Sequence, residues 1–443
     1  MKKIFTKFLI VGSLFVNHQN NAQIINTFAG NGTSGFAGDG GLATAAQISN
    51  PTGTAFDASG NTYICDFGNN RIRKVSSSGI ISTFAGTGTA GSTGDGGLAT
   101  AATINNPSGV TVDPLGNVYI CEYSGNKIRK VNTSGIISTF AGTGVAGFSG
   151  DGGLAASAQL SGPAKVAIDA LGNVYIADAT NGRVRVVNTL SVISTFAGTG
   201  TPGSGGDGGP VASAQLTSPI GVAIDASGRV FISDLSANKV RVVSTSSIIT
   251  TFAGTGSAGS TGDGGLATSA QLSGPYAVAF DAVGKVYIAD VSNSKIRVVN
   301  TSGIISTFAG TGVAGYSGDG GLATAAQLNN AFEVAVNPAG DVLIADGTNN
   351  RIRIVMLSTD VKNSSLFNDV SLYPNPTQNT IYIKNGKADL GKCSIEITNA
   401  LGQKALELNY SESIDVSNLP QGFYNLRVIS ENKNVYYSKF IKE

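Results

Sequence analysis

The amino-acid sequence predicts an all-β protein: a six-bladed β-propeller, whose last blade is closed by an N-terminal strand, followed by a small immunoglobulin-like β-sandwich. First, one unit recurs six times without insertion or deletion, as its Gly-Asp-Gly-Gly aspartates show: Asp39, Asp95, Asp151, Asp207, Asp263 and Asp319. A period near 50 residues indicates stacked supersecondary units. Second, each unit holds short runs rich in Val, Ile, Thr and Tyr between turn residues, which is the strand signal. Third, the period stops after residue 356 and a different alternating pattern follows.

The first 22 residues have the layout of a secretory signal. Lys2, Lys3 and Lys7 precede the apolar run 8–16, and a polar stretch then ends at Ala22. This is the order of the basic, apolar and cleavage regions. The apolar run is shorter than the roughly 20 residues that a membrane span needs. We therefore predict that residues 1–22 are removed and that the mature chain leaves the cytoplasm with no membrane span.

Each repeat predicts four strands, which in the second unit fall at 110–113, 117–121, 127–132 and 136–142. The only helical signal is the Leu-Ala-Thr-Ala-Ala-Gln segment, which we expect to form one or two turns capped by the aspartate before it. Four antiparallel strands in each of six units are typical of a β-propeller. An isolated fourth-strand copy stands at 24–30, and the last repeat ends after its third strand at 356. The N-terminal strand should therefore close the ring of residues 23–356 and leave no open edge.

The repeat G-V-A-x-D-x-x-G-N-V-Y-I-A-D-x-x-N-x-R-I-R-x-V resembles the NHL repeat, a family of six-bladed propellers, over about residues 24–356. The Gly-Asp-Gly-Gly segment is similar to that of longer NHL repeats on extracellular and bacterial surface proteins. This resemblance implies a binding platform more often than an enzyme.

A second domain follows a polar linker at 357–368. Residues 369–443 alternate in the manner of a small β-sandwich, and they contain Tyr-Pro-Asn-Pro at 373–376, Leu-Gly-Gln at 401–403 and Lys-Phe-Ile-Lys at 439–442. The order of these motifs resembles the type A sorting domain of the type IX secretion system of Bacteroidetes. The resemblance implies that residues 369–443 engage the secretion machinery, and that the protein is then released or attached to the outer-membrane surface.

Composition argues against several classes of function. Charged residues make up 13% of the chain, about half of the usual share. Removal of Lys2, Lys3 and Lys7 from the 29 basic residues leaves 26 bases against 28 acids, so nothing draws the chain to nucleic acid or to anionic membranes. Cys65 and Cys121 occupy one repeat position that is filled elsewhere by Ala or Ser, and with Cys393 we expect them to be free thiols.

The sequence suggests no catalytic centre, cofactor or metal. The single His is His18, inside the predicted signal, which leaves the mature chain without the usual general base or zinc ligand. The Gly-x-Gly-x-x-Gly stretches lack the βαβ context of a dinucleotide loop. Calcium takes 6–8 oxygen ligands, whereas each Gly-Asp-Gly-Gly loop offers one carboxylate, so we expect Asp39 and its equivalents to cap a turn or the helical fragment.

Two further rings should form structural ion pairs within blades. They consist of the acids Asp66, Glu122, Asp178, Asp234, Asp290 and Asp346, and the arginines Arg73, Arg129, Arg185, Arg241, Arg297 and Arg353.

The positions where the repeats differ predict the binding site. Lys165 and Glu333 replace small residues near the start of the innermost strand and lie three repeats apart, on opposite sides of the channel mouth. Tyr276 and Phe332 add aromatic surface on the same face as the Gly-Asp-Gly-Gly loops. We predict that these four residues contribute to ligand binding.

The sequence therefore favours a secreted or cell-surface, non-enzymatic propeller that binds an extracellular protein or glycan. Two alternatives are a metal-dependent propeller hydrolase or lyase and a purely structural surface-layer component.

Overall fold

The computed structural model describes residues 23–357, 370–385, 393–399, 403–430 and 435–443. The predicted signal at 1–22 and residues 358–368 of the linker predicted at 357–368 lie outside the described residues, whereas Leu357 is the last residue of a propeller strand. Most strands carry Val, Ile and Tyr flanked by Gly, Asn and Asp, which favour the turns between them.

The propeller strands fall into a closing strand and six blades. The closing strand is β1 (Gln23–Ala29), and blade 1 contains β2 (Pro51–Phe56), β3 (Thr62–Asp66), β4 (Arg71–Val75) and β5 (Ile81–Ala85). Blade 2 contains β6 (Pro107–Val112), β7 (Val118–Glu122), β8 (Lys127–Val131) and β9 (Ile137–Ala141). Blade 3 contains β10 (Pro163–Ile168), β11 (Val174–Asp178), β12 (Arg183–Val187) and β13 (Ile193–Ala197). Blade 4 contains β14 (Pro219–Ile224), β15 (Val230–Asp234), β16 (Lys239–Val243) and β17 (Ile249–Ala253). Blade 5 contains β18 (Pro275–Phe280), β19 (Val286–Asp290), β20 (Lys295–Val299) and β21 (Ile305–Ala309). Blade 6 contains β22 (Ala331–Val336), β23 (Val342–Asp346) and β24 (Arg351–Leu357), and β1 completes it.

The blades confirm the predicted all-β propeller and refine its boundaries. The innermost strand of blade 2 begins at Pro107, three residues before the predicted start, because Pro107 and Gly109 are already paired with Glu122 and Cys121 of β7. The apolar pattern that marked the strand begins only at Val110, so the polar and small residues before it gave no strand signal.

The ring closes as predicted. Strand β1 pairs antiparallel with β24 from Gln23 opposite Leu357 to Ala29 opposite Ile352. Ile25 is fully buried in a cluster with β22 and β23 residues. The N-terminal strand is therefore a full member of blade 6.

Short single-turn helices lie in the connections. They are 3-10 turns at Ala43–Ala45, Phe67–Asn69, Ala99–Ala101, Ala155–Ser157, Ala179–Asn181, Val211–Ser213, Ala267–Ser269, Val291–Asn293, Ala323–Ala325 and Gly347–Asn349. In the loop before blade 1, Gly40 N donates to Ile81 O at 2.8 Å, and Ile81 N donates to Gly41 O at 3.0 Å. The long loop thus covers the outer edge of β5, which would otherwise be free to pair with another chain.

The second domain is an immunoglobulin-like sandwich, as predicted. One sheet has the order β25 (Val370–Tyr373), β26 (Thr380–Asn385), β29 (Ser413–Asp415); the other has the order β28 (Lys404–Asn409), β27 (Cys393–Asn399), β30 (Gly422–Ser430), β31 (Val435–Lys442). Ile381, Ile395 and Leu426 are fully buried between them. Within the described ranges of both domains, the structure contains no helix long and apolar enough to cross a membrane.

Candidate functional site

Lys165 and Glu333 meet at the centre of the ring. Lys165 lies on β10 and Glu333 on β22, three blades apart, and their side chains form an ion pair. Both residues are nearly buried, with 7% and 9% of their surface exposed. The sequence placed them as separate charges on opposite sides of a mouth; the structure joins them, because a Lys side chain is long enough to reach across.

Two glycines leave room for the lysine. A Cβ on Gly53 would lie 3.1 Å from Lys165 Nζ, and one on Gly109 would lie 3.1 Å from its Cδ. The ammonium also donates to Thr52 O of blade 1 at 2.8 Å. Lys165 therefore links blades 1, 3 and 6. Burial raises the pKa of Glu333, against the opposing effect of the Lys165 ammonium.

Tyr276 and Phe332 stand beside this pair. Their rings are edge to face with centroids 5.3 Å apart, and Lys165 Nζ lies 5.7 Å from the Tyr276 ring centroid. Both aromatic residues are partly buried. The structure thus brings all four predicted site residues into one cluster at the axis.

The two faces of the disc differ around this cluster. We call the face with the Gly-Asp-Gly-Gly loops and the second-to-third strand connections the loop face; Asn69 Nδ2 donates to Gly35 O at 2.7 Å there, which joins the two kinds of connection as the sequence predicted. The opposite face, with the first-to-second strand turns, is the turn face. An axial cavity of about 590 Å³ is lined by innermost strands and by the turn residues Ala282 and Pro338, so it opens on the turn face. Lys165 and Glu333 also line it.

The acid and arginine rings form the predicted ion pairs. Arg73 is fully buried between Asp66, whose Oδ2 is 3.4 Å from its Nη1, and Asp39, whose Oδ1 is 2.5 Å from its Nη2. Asp66 also accepts from the Ser49 amide at 2.7 Å. Blades 2, 3, 5 and 6 repeat both ion pairs of the arginine, and in blade 4 Arg241 pairs with Asp207 but not with Asp234, so the structural ion-pair row is confirmed in all blades but one.

The predicted capping role of Asp39 is wrong. The turn at Ala43–Ala45 has no side-chain cap. Instead Asp39 accepts from Thr83 Oγ1 at 2.7 Å and from Arg73. The carboxylate binds the adjacent blade strands because the loop runs along the outer edge rather than starting a helix at the aspartate.

The carboxyl groups of the two acidic rings differ in pKa because their surroundings differ. Burial raises the pKa of Asp66 to about 6 and that of Glu122 to about 7, although arginine and hydrogen bonds oppose the shift. At Asp39 burial also acts upward, but the hydrogen bonds from Thr83 and Arg73 outweigh it and lower the pKa. Cys65 and Cys121 are free and buried, as predicted, and burial raises the pKa of both thiols.

Sequence reasoning missed a set of cation–π pairs on the loop face. Arg71 Cζ lies 3.6 Å from the Phe36 ring centroid, and the pairs Arg183–Phe148 and Arg351–Tyr316 repeat this contact at 3.8 and 3.6 Å. The remaining three blades have Lys with Ser at these positions: Lys127 with Ser92, Lys239 with Ser204 and Lys295 with Ser260. Comparison of the repeats with one another would have shown this joint variation.

Comparison with known proteins agrees with this architecture. Residues 371–443 match the model of the secretion system C-terminal sorting domain. Residues 17–93, 88–146 and 255–314 match the Teneurin NHL domain, and residues 160–187 match the NHL repeat. The chain is therefore an NHL-repeat propeller protein with a C-terminal type IX secretion sorting domain. It is exported and ends up outside the cell or attached to its surface.

Individual relatives share the propeller. Teneurin-4 of Mus musculus is 30% identical over 294 residues, which is 54% of this chain but 10% of Teneurin-4, so the chain spans about a tenth of that relative. A structural genomics protein of unknown function from Bacteroides thetaiotaomicron superposes with a TM-score of 0.57 at 17% identity, covering 75% of this chain and 76% of its own. An auxiliary nutrient binding protein from Bacteroides ovatus gives 0.56 at 15%, covering 76% and 77%. At these identities the two structures show a shared fold.

Proposed function

We propose that this secreted propeller is a non-enzymatic scaffold that binds an extracellular protein or glycan on its loop face. Tyr276 and Phe332 contact the partner, while Lys165 and Glu333 hold these two aromatic side chains in place from within the channel. The observation that carries the proposal is that the main departures from the repeat at the inner strands converge at one point on the axis.

The composition of this point favours binding. Where Tyr276 and Phe332 stand, the other blades have Thr52, Ser108, Ala164 and Ile220. Aromatic side chains are enriched among residues that dominate interface energies because they offer large, rigid contact areas. The edge-to-face contact of the two rings and the ammonium near Tyr276 restrict their motion, which lowers the entropic cost of binding.

The repeated charges favour a scaffold rather than a catalyst. In the six near-identical blades the repeated acids and arginines form ion pairs with each other, as Arg73 does with Asp39 and Asp66. A catalytic centre needs several different reactive groups that converge on one substrate position. The charged departure at the start of the inner strands, Lys165 with Glu333, is a pair in which each charge neutralises the other.

The test compares the full chain with Y276A/F332A and with L171A, a control on the turn face where Leu171 is 79% exposed. Each protein is applied to a glycan array and is crosslinked at the surface of the native cell. We expect Y276A/F332A to lose at least tenfold in affinity and L171A to bind normally. Equal binding by all three would place recognition elsewhere, and absence of any specific partner would favour a structural surface component.

A further inference from the structure

The axial cavity has a mixed wall, in which aliphatic and aromatic side chains alternate with the polar residues Thr54, Thr111 and Asn337, and it holds one charged pair. Val110, Val166, Val222, Val278 and Val334 form a ring in its wall, and Phe56 and Phe280 add aromatic surface. Among the described residues that line it, Lys165 and Glu333 are the only charged ones. Their side chains keep 8% and 11% exposure, so they are not sealed off.

The fold does not need this ion pair. Four blades have Gly53, Gly109, Gly221 and Ala277 at the same position. Burying two charges costs desolvation energy that their attraction only partly repays, and apolar replacements of buried pairs are often neutral or stabilising. The repeat itself does not specify this pair, and its position at the inner end of a cavity gives it a second use beside its contacts with the neighbouring blades, which is to bind a ligand.

We infer that the cavity binds a neutral amphiphile: a small molecule with an aliphatic body and an amide or hydroxyl end that reaches Lys165 and Glu333. The lysine offers N–H donors and the glutamate offers carboxylate oxygens, so a group that both accepts and donates complements the pair. A charged end would find no free opposite charge in the cavity, because Lys165 and Glu333 already neutralise each other, and burying an unpaired charge is costly.

Size and access fit such a ligand. The cavity volume of about 590 Å³ falls within the roughly 300–1,000 Å³ of small-molecule pockets. Its mouth lies on the turn face, where Val283, next to the lining residue Ala282, is 68% exposed. The site therefore opens away from the loop face that we propose for the macromolecular partner, and the two sites are tested separately.

The experiment is calorimetric titration of the full chain with octanamide, with octanoate and octylammonium as charged analogues of the same length. We expect one octanamide per chain and at least tenfold weaker binding of both charged analogues. The variants are K165M/E333L, which replaces the pair by apolar side chains, and K165G/E333A, which installs residue types found in the other blades. Both variants should bind octanamide at least tenfold more weakly. They should still take up cyclohexane, and saturation-transfer NMR measures this uptake.

Three results would overturn the inference: octanamide fails to bind the wild-type protein, a charged analogue binds best, or both folded double variants keep full octanamide affinity. F36A is the control on the loop face, where Phe36 is 40% exposed and stacks on Arg71, and it should bind octanamide normally. Loss of octanamide binding in F36A would place the ligand on the loop face and would also overturn the cavity assignment, whereas normal binding of the macromolecular partner by Y276A/F332A concerns the proposed function alone.

Discussion

Glu122 is the one glutamate in the ring of buried acids, and its neighbour Gly125 explains it. Four blades have Asn at the position of Gly125, as in Asn69, whose Nδ2 lies 2.9 Å from both oxygens of Asp66. A Cβ on Gly125 would lie 2.8 Å from Glu122 Oε2 and 2.4 Å from Ser92 Oγ. The longer carboxylate thus fills the space that an asparagine occupies elsewhere.

This exchange predicts strong coupling between the two positions. E122D should lose about 1–2 kcal/mol by leaving a void, and G125N should lose about 1–3 kcal/mol through overpacking. The double variant E122D/G125N rebuilds the Asp290–Asn293 pair of blade 5, where Ser260 matches Ser92. Thermal unfolding should show it to be at least about 1 kcal/mol more stable than the sum of the single changes implies. Strict additivity would mean that the two residues do not share this space.

At the residue scale, the sequence predicted contacts within a blade better than contacts made by long side chains across the channel. Pairing of Arg73 with Asp66 followed from their presence in every blade, and the burial of Cys65 followed from the small residues at its position. The Lys165–Glu333 contact did not follow, because their separation by three repeats places the backbones apart. Only the structure shows that Gly53 and Gly109 leave room for the lysine side chain.

At the scale of elements, β1 is the strand that distinguishes a closed ring from an open one. The repeat shows that a fourth-strand sequence is missing after β24 and that one stands before β2, so closure of the ring was predictable. The long loops were predictable in part: the alanine-rich segment forms a single turn at Ala43–Ala45, as expected, whereas the backbone bonds of the loop to the outer strand, such as Gly40 N to Ile81 O, left no signal in the sequence.

Ring closure predicts equal importance of equivalent residues. Ile25 of β1 and Ile137 of β9 occupy the same repeat position, and both are fully buried. I25A and I137A should each cost about 2–5 kcal/mol, the usual effect of truncating a buried isoleucine, and deletion of residues 23–30 should also cause aggregation through the exposed edge of β24. Thermal midpoints and light scattering measure both effects. If I25A leaves the thermal midpoint unchanged while I137A lowers it, β1 is only loosely attached to blade 6.

At the scale of the whole molecule, the chain joins two independent cores. The propeller cores lie between neighbouring blades, as in the cluster that holds Ile64 of blade 1 with Ile352 of blade 6. The sandwich has its own core around Ile395 and Leu426. The change of sequence pattern after 356 made this division predictable, and the ordered motifs of the sandwich indicated its class.

Separate cores predict that export and folding can be uncoupled. A chain truncated after Ser358 should fold its propeller, because the interblade cores and β1 are intact, but should remain inside the native host because residues 369–443 carry the sorting signal. Immunoblots of medium, cell surface and periplasm give its location, and resistance to trypsin reports folding. Conversely, residues 369–443 fused to a periplasmic reporter should carry the reporter out of the cell. Appearance of the truncated chain in the medium, in cells that have not lysed, would show that the sandwich is dispensable for export.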